Sequence, residues 1–289
     1  MKKGAKTAVK SGKGETSGLR LGPFSARVLD TCSRRQWMEQ DSIGIIMAMQ
    51  EEIRPILRRL GRHRKEQAGR FPVYLFQRDM RQLTIIESGM GAKKARAATE
   101  ELIAYAKPRL LVSAGLGGAV RDGLDVGDVV IAGQSLALGE GVTSDAVTLG
   151  NEPLLRALKE SLSGQSFHIT GGTTVTTKSI VHKGNAAQLI PEEVVNPVLD
   201  METSAVAEAA ARNGIPLVAL RAISDAAKEE FLFSLDEITD RELNIRIHKV
   251  LFTIVKKPRI LPQMIRLAKN SRQAADNLAG VLEKLVLLV

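Results

Sequence analysis

The sequence predicts a three-layer α/β/α fold around a central mixed, largely parallel twisted sheet. Three observations predict it. Short apolar runs of strand length alternate with helical segments along most of the chain. Several of those runs end abruptly in glycine or acidic residues, often followed by a helix start. Hydrophobic residues make up 44% of the 289 positions but aromatics only 3%, so small and aliphatic side chains must do the packing, as in sheets covered by alanine-rich helices.

The elements follow in order. Residues 1–40 are rich in Lys, Gly, Ser and Thr without sustained periodicity, which predicts a disordered basic tail (initiation at Met38 would remove nearly all of it). Residues 41–289 read as a single domain. Ser42–Met49 is a buried strand, and Gln50-Glu51-Glu52 opens a helix through Ile56, Leu57 and Leu60. Phe71–Arg78 and Gln82–Glu87 form two further strands around a polar Asp79–Arg81 turn. Ser88-Gly-Met-Gly91 turns tightly into a helix over Ala92–Ala106. Arg109–Ser113 is a strand with the loop Ala114–Gly118 at its end, and Leu124–Ala132 gives a turn and another strand. Glu152–Leu162 is helical, and His168–Val181 alternates Thr and Val as a strand does. An alanine-rich helix starts just after Met201-Glu202, turns at Asn213-Gly214, and leads into the apolar strand that ends at Ile223-Ser224-Asp225. The C-terminus is helical through Val281–Val289.

Charge narrows the function classes. Of the formal +9, residues 1–40 carry +6, with nine Lys/Arg against three Asp/Glu. The high positive charge therefore belongs mostly to the tail, and a nucleic-acid-binding role for the whole chain loses its main support. The scarcity of aromatics argues against base-stacking platforms. The single Cys32 allows no intramolecular disulfide and suits a reducing cytoplasm, the expected location. No apolar run reaches membrane-spanning length, and the basic N-terminus lacks the apolar core of a signal peptide. Four histidines and one cysteine show no ligand spacing, so neither a metal nor another cofactor is expected.

Chemistry concentrates at the strand ends Met49–Glu52, Glu87–Gly91, Ser113–Gly118 and Arg221–Asp225, with Asp200–Glu202 as a fifth acidic site. Ligands of open α/β sheets bind where strands end. Glycines let a backbone approach a ligand closely, and helix N-termini offer N–H donors. Glu52, Glu202 and Asp225 supply carboxylates for the roles of base, sugar ligand and acid. Burial among apolar neighbours raises a carboxyl pKa, as a general acid near neutral pH needs. Plainer readings stand beside these. Glu52 and Glu202 suit a helix dipole, Ser224 and Asp225 suit a cap, and Gly115, Gly117 and Gly118 suit a tight turn. Ala114–Gly118 is neither a Walker A loop nor a dinucleotide fingerprint.

Taken together, Gly44–Glu52, Ser88–Gly91, Gly117-Gly118 before Val126–Val130, Asp200-Met201-Glu202 and Arg221–Asp225 resemble the purine nucleoside phosphorylase/uridine phosphorylase superfamily. Within it the chain is most similar to the methylthioadenosine/S-adenosylhomocysteine nucleosidases, over about residues 42–236. The resemblance implies a nucleoside phosphorylase-like fold and an N-ribosyl hydrolase that cleaves adenine from 5′-modified adenosines. It implies that Glu52 activates the attacking water and that Met201 and Glu202 contact the ribose. Asp225 would protonate purine N7, oriented by Ser224, and Arg221 would stand near the water or phosphate. Leu116 and Gly117 would line the base pocket, with Met90 and Val181 at the 5′ substituent and the base. It further implies a homodimer.

The chain departs from the nucleosidase pattern in places. A serine that helps hold the water aligns with Gly115, Lys178 takes the place of an aspartate, and Asp200 stands where glutamate is usual. The motif Asp-Met-Glu-Thr is similar to other branches, the hopanoid-associated nucleoside phosphorylases among them. Two alternatives therefore stay open: a phosphorylase, with a lipid-linked adenosyl nucleoside as one substrate, and a nucleoside-binding, membrane-associated protein without turnover. Phosphorylases of this superfamily hold phosphate with arginines and a serine on glycine-rich loops. Here neither Gly44–Met49 nor Ser88–Gly91 contains an arginine, and Lys93 and Lys94 read as helical and solvated. Hydrolysis is therefore favoured.

Residues 243–275 hold eight Lys/Arg and no Asp or Glu, interleaved with aliphatic residues and broken by Pro258 and Pro262. This basic helical insertion reads either as two helices with a basic outer face or as an interfacial element for anionic lipid at the inner membrane face.

Overall fold

The computed structural model describes residues 42–78, 81–139, 142–143, 146–149, 152–179, 181, 183–229, 237, 239–240, 243 and 247–289. The basic N-terminal stretch, most of the Asp79–Arg81 turn and residues 244–246 of the basic segment lie outside them. Strands are β1 (Ser42–Met47), β2 (Arg64–Ala68), β3 (Phe71–Arg78), β4 (Arg81–Glu87), β5 (Leu110–Ala119), β6 (Val129–Gly139), β7 (Val142–Thr143), β8 (Val147–Thr148), β9 (Ile169–Thr177), β10 (Pro197–Asp200) and β11 (Leu217–Asp225). Helices are α1 (Gln50–Leu60), α2 (Ala92–Ala106), α3 (Glu152–Ser161), α4 (Lys183–Leu189), α5 (Thr203–Arg212), α6 (Ile247–Lys256) and α7 (Leu261–Leu288), with a 3₁₀ turn at Pro258–Ile260. No helix among the described residues is long and apolar enough to cross a membrane.

The sheet is mixed, in the order β10-β9-β6-β11-β5-β1-β4-β3-β2. Its middle, β11-β5-β1-β4, is parallel, and both faces of these strands are covered. That explains why β1, β5 and β11 are near-continuous apolar runs, not alternating ones. On one face Ala95, Ala98 and Leu102 of α2 and Val206, Ala207 and Ala210 of α5 pack on Ile46, Val73, Ile86 and Leu111. On the other, α7 lies along β11 and against α1, burying Ala274, Ala275, Leu278 and Leu282. Helix α7 therefore runs from the basic segment into the core.

Beyond β11 the sheet does not stay open. β10 pairs parallel with β9 and also antiparallel with the far end of β5, Leu199 opposite Gly118. The pairings β5-β11-β6-β9-β10 thus close into a five-stranded ring. This corrects the expected loop at Ala114–Gly118. Those residues continue β5, paired with β11 through Gly115–Arg221 and Gly117–Ile223. Glycine is needed because β10 comes so close: a Cβ on Gly117 would stand 2.5 Å from Val198 Cγ1 and 2.9 Å from Leu199 O.

The elements β2, β7, β8, β10 and α4 went unread in the sequence. β2 is polar and mostly exposed, an edge strand paired only with β3, and α4 is only seven residues long.

The ring makes a testable demand on Gly117. Gly117→Ala must push β10 from β5 and is expected to cost about 1–3 kcal/mol, the usual overpacking range. It would be read as a lower urea midpoint at unchanged slope.

Candidate active site

At the mouth of the ring lies a cavity of about 240 Å³. Its wall brings together Glu52, Met90, Leu116, Gly117, Val181, Met201, Glu202, Ser224 and Asp225, drawn from six separate stretches of chain. Lys183, Asp200, Leu267 and Ser271 also line it.

Glu52 is 3% exposed. As the third residue of α1 it reaches back to the helix start, where Oε2 accepts the N–H of Ala48 (3.0 Å) and Met49 (3.1 Å). This is half of a capping box, so the plainer reading of Glu52 holds as far as it goes. A cap would leave the other oxygen in solvent. Here Oε1 instead accepts the N–H of Leu116 on β5 at 2.9 Å. Burial pushes its pKa up, against the opposing pull of the Leu116 N–H, the Arg221 charge and the Met49 and Ala48 N–H groups. Gly115 faces the same oxygen: a Cβ there would lie 2.9 Å from Oε1. Glu52 thus uses the space in which a serine at Gly115 would stand.

Glu202 precedes α5 but makes no side-chain cap. Its Oε1 accepts the N–H of Gly91 at 2.8 Å, which joins the turn before α2 to the start of α5. Burial and the nearby Asp200 charge push its pKa up to about 7, with Arg221 and the Gly91 N–H opposing. The capping falls to Asp200, whose Oδ2 accepts the N–H of Thr203 at 3.1 Å while Oδ1 accepts Thr176 Oγ1–H at 2.6 Å.

Arg221 corrects an expectation. It is 2% exposed and stands behind the cavity wall. Nε donates to Asp200 Oδ2 (2.9 Å), and NH1 donates to the carbonyls of Ser113 (3.1 Å) and Leu220 (2.8 Å). NH2 donates to Ser113 Oγ (3.0 Å) and Thr203 Oγ1 (2.7 Å). All five N–H bonds are thereby used. The guanidinium holds Asp200 and biases the carboxylates by charge; it offers no free donor to a phosphate.

At the opposite end Asp225 is 5% exposed. Ser224 Oγ lies 2.6 Å from its Oδ1, and Lys183 Nζ makes a short ion pair with its Oδ2. The sequence had singled out Lys178, which is exposed. Lys183 had no signal at all, because a lysine opening a short helix reads as solvated. Leu267 and Ser271 were missed for a related reason: they sit in the basic segment, yet α7 turns them inward beside the Met201 cluster of Ile260, Leu243, Val250, Ile254 and Met264. Lys93 is exposed, and Lys94 folds over Gly89. Among the described residues no group of His, Cys, Asp or Glu is arranged to hold a metal.

Residues 42–256 match the family model of the phosphorylase superfamily. The chain belongs to the phosphorylase superfamily. It is 28% identical over 213 residues to the 5′-methylthioadenosine/S-adenosylhomocysteine nucleosidase of Listeria welshimeri, covering 68% of this chain and 91% of that one. Among solved structures it resembles the nucleosidase of the same name from Helicobacter pylori, with a TM-score of 0.65 at 18% identity over 86% of this chain and 99% of that one. It also resembles the Helicobacter pylori futalosine hydrolase, with a TM-score of 0.65 at 18% identity over 86% and 98%. At these identities the solved structures speak for the fold.

The raised pKa of Glu202 sets a pH dependence. An acid whose pKa is higher folded than unfolded adds most stability when protonated, and that share falls as pH rises from the ordinary carboxylate range through about 7. Glu202→Gln is therefore expected to melt higher than the parent near pH 8 and to flatten the Tm–pH curve between about pH 5 and 8.

Proposed function

We propose that the chain is an N-ribosyl hydrolase that releases adenine from 5′-modified adenosines, with methylthioadenosine and S-adenosylhomocysteine as leading substrates. The observation that carries this is one cavity holding Glu52 and Glu202 on one side and the Ser224–Asp225 pair on the other. The names of the relatives, nucleosidases and a hydrolase, support the same reaction class. In this reading Asp225 protonates purine N7, so that adenine leaves neutral. The ribosyl centre becomes cationic, Glu202 holds the sugar hydroxyls, and Glu52 takes a proton from the attacking water. Carboxylates around a developing cation favour the transition state over the ground state. Met90, Val181, Met201 and Leu267 give the 5′ group an apolar wall.

Water is favoured over phosphate on electrostatic grounds. Among the described residues the cavity wall carries one cation, Lys183, which is bound to Asp225. Arg221 is fully engaged, and three acids stand on the acceptor side of the cavity. An incoming dianion would meet like charge there. Adenine release from methylthioadenosine is expected without phosphate, with the free sugar as co-product. A strict phosphate requirement, yielding the sugar 1-phosphate, would make the protein a phosphorylase instead. Glu52→Gln and Asp225→Asn are each expected to lower kcat by about 100-fold or more, the usual weight of a general base or acid, and full activity in either would remove its assigned role.

A peripheral membrane contact joins this reading through α6. Phe252 is 59% and Val255 80% exposed, and Lys256 Nζ stands 4.5 Å over the Phe252 ring. These three share one helix face by their three- and four-residue spacing, and apolar side chains beside a cation suit an anionic bilayer. Co-pelleting with vesicles of phosphatidylglycerol, lost on Phe252→Ser with Val255→Ser, is the expected result. No pelleting, or equal pelleting with neutral vesicles, would refute it. A dimer that dissociates in the same variant would assign the face to the homodimer instead.

A further inference from the structure

Lys183 is a buried titratable group in the cavity wall, 4% exposed, to which the reaction just described gives no work. Its Nζ makes three contacts: with Ala226 O at 2.6 Å, with Asp225 O at 3.1 Å, and the short one with Asp225 Oδ2. Carbonyl oxygens only accept, so two N–H bonds are committed to them. The third contact holds a single proton between an amine and a carboxylate. That proton makes either an ammonium beside a carboxylate or a neutral amine beside a carboxylic acid. The fold makes room for the pair, since a Cβ on Gly118 would lie 2.7 Å from Asp225 Oδ2 and 3.3 Å from Lys183 Cε.

We propose that Lys183 is the proton source for the leaving base and that Asp225 hands the proton over. This rests on the N-ribosyl hydrolase reading. As a carboxylate, Asp225 has no proton to give. Transfer from Nζ to Oδ2 turns it into an acid. That acid protonates purine N7 as the glycosidic C–N bond breaks and its electron pair leaves with the base. The pair is then a neutral amine and a carboxylate, one negative charge richer than before, and it faces a ribosyl centre that has just become cationic. Water adds to that centre and loses its proton to Glu52. Return of that proton to Lys183 through solvent resets the site, so that substrate and water become adenine and free sugar with no net proton change. Lys183 acts through Asp225 and is a positioning and proton-supplying residue, while Asp225 is the catalytic one.

Two leaving groups separate this role from a structural one. Adenine from methylthioadenosine needs a proton to leave well. The nitrophenolate of 4-nitrophenyl β-D-ribofuranoside does not. Both substrates are assayed with the full chain, Lys183→Met and Lys183→Arg, from about pH 5 to about pH 9. With methylthioadenosine, Lys183→Met is expected to lose about 100-fold or more in kcat/KM near neutrality. The loss shrinks toward acid pH, where solvent supplies the proton. On the nitrophenyl riboside the variant keeps its rate, which also reports that it folds. Arginine keeps the charge but does not give up its proton, so Lys183→Arg should fail as methionine does. Rescue by arginine would overturn the proposal in favour of simple charge pairing. Equal losses on both substrates, or no loss on either, would overturn it as well. A parent protein that releases no adenine, with or without phosphate, would instead defeat the hydrolase reading on which the proposal stands.

Discussion

The close approach of β10 to β5 is the constraint on which the site depends. In an open sheet β5 would end near Ser113, and the residues after it would form a separate loop. Here Gly117 lets β10 come close enough for Leu199 to pair against β5. That pairing carries Asp200-Met201-Glu202 to the mouth of the ring. Leu116 N–H meets Glu52 because β5 runs on past Ser113, and Asp225 faces Gly118 because the register of β11 against β5 shifts by one residue after Ile223. Backbone pairing therefore sets the spacing of the three carboxylates, and side-chain bonds refine it.

Charge supplies the second level of order. Three acids lie at one side of the cavity, and desolvation alone would drive protons onto all of them. One buried guanidinium opposes this. Arg221 bonds Asp200 through Nε, and its charge opposes the upward push that burial gives the pKa values of Glu52 and Glu202. A buried ion pair is a weak source of net stability. Its effect here is to fix Asp200 in place at the start of α5. Two polar clusters at either end of one small cavity, each with its own cation, is an arrangement suited to moving protons in opposite directions.

Much of this was legible in the chain. Helix α2 was read to the residue, and β1, α5 and β11 nearly so, because long periodic segments with clear glycine or acidic boundaries carry their own signal. The motif residues converge on one cavity because strand ends in a parallel sheet lie on one side, a geometric fact that spacing alone conveys. What escaped depended on contacts between distant segments. The glycines Gly115–Gly118 read as a loop because nothing local reveals that β10 will press against them. Arg221 read as a ligand contact because its partners Asp200, Ser113 and Thr203 come from three other elements. Lys183 went unremarked for the same reason, its acceptors lying some forty residues on.

The departures from the nucleosidase pattern become coherent when read as one rearrangement. A glycine at 115 gives Glu52 room to sit against the Leu116 N–H, so this carboxylate is held by backbone groups on two elements without a serine. Asp200 is one partner in the closed set of bonds around Arg221. These bonds tie up donors that a bound anion would otherwise use, and the remaining cation, Lys183, is committed at the Asp225 end. Among the described residues, a site organised this way has no free positive group in its wall for a phosphate. A neutral nucleophile meets no such obstacle. The proposed preference for water therefore rests on the engagement of Arg221 and Lys183, not on the positions at which the chain departs from the nucleosidases.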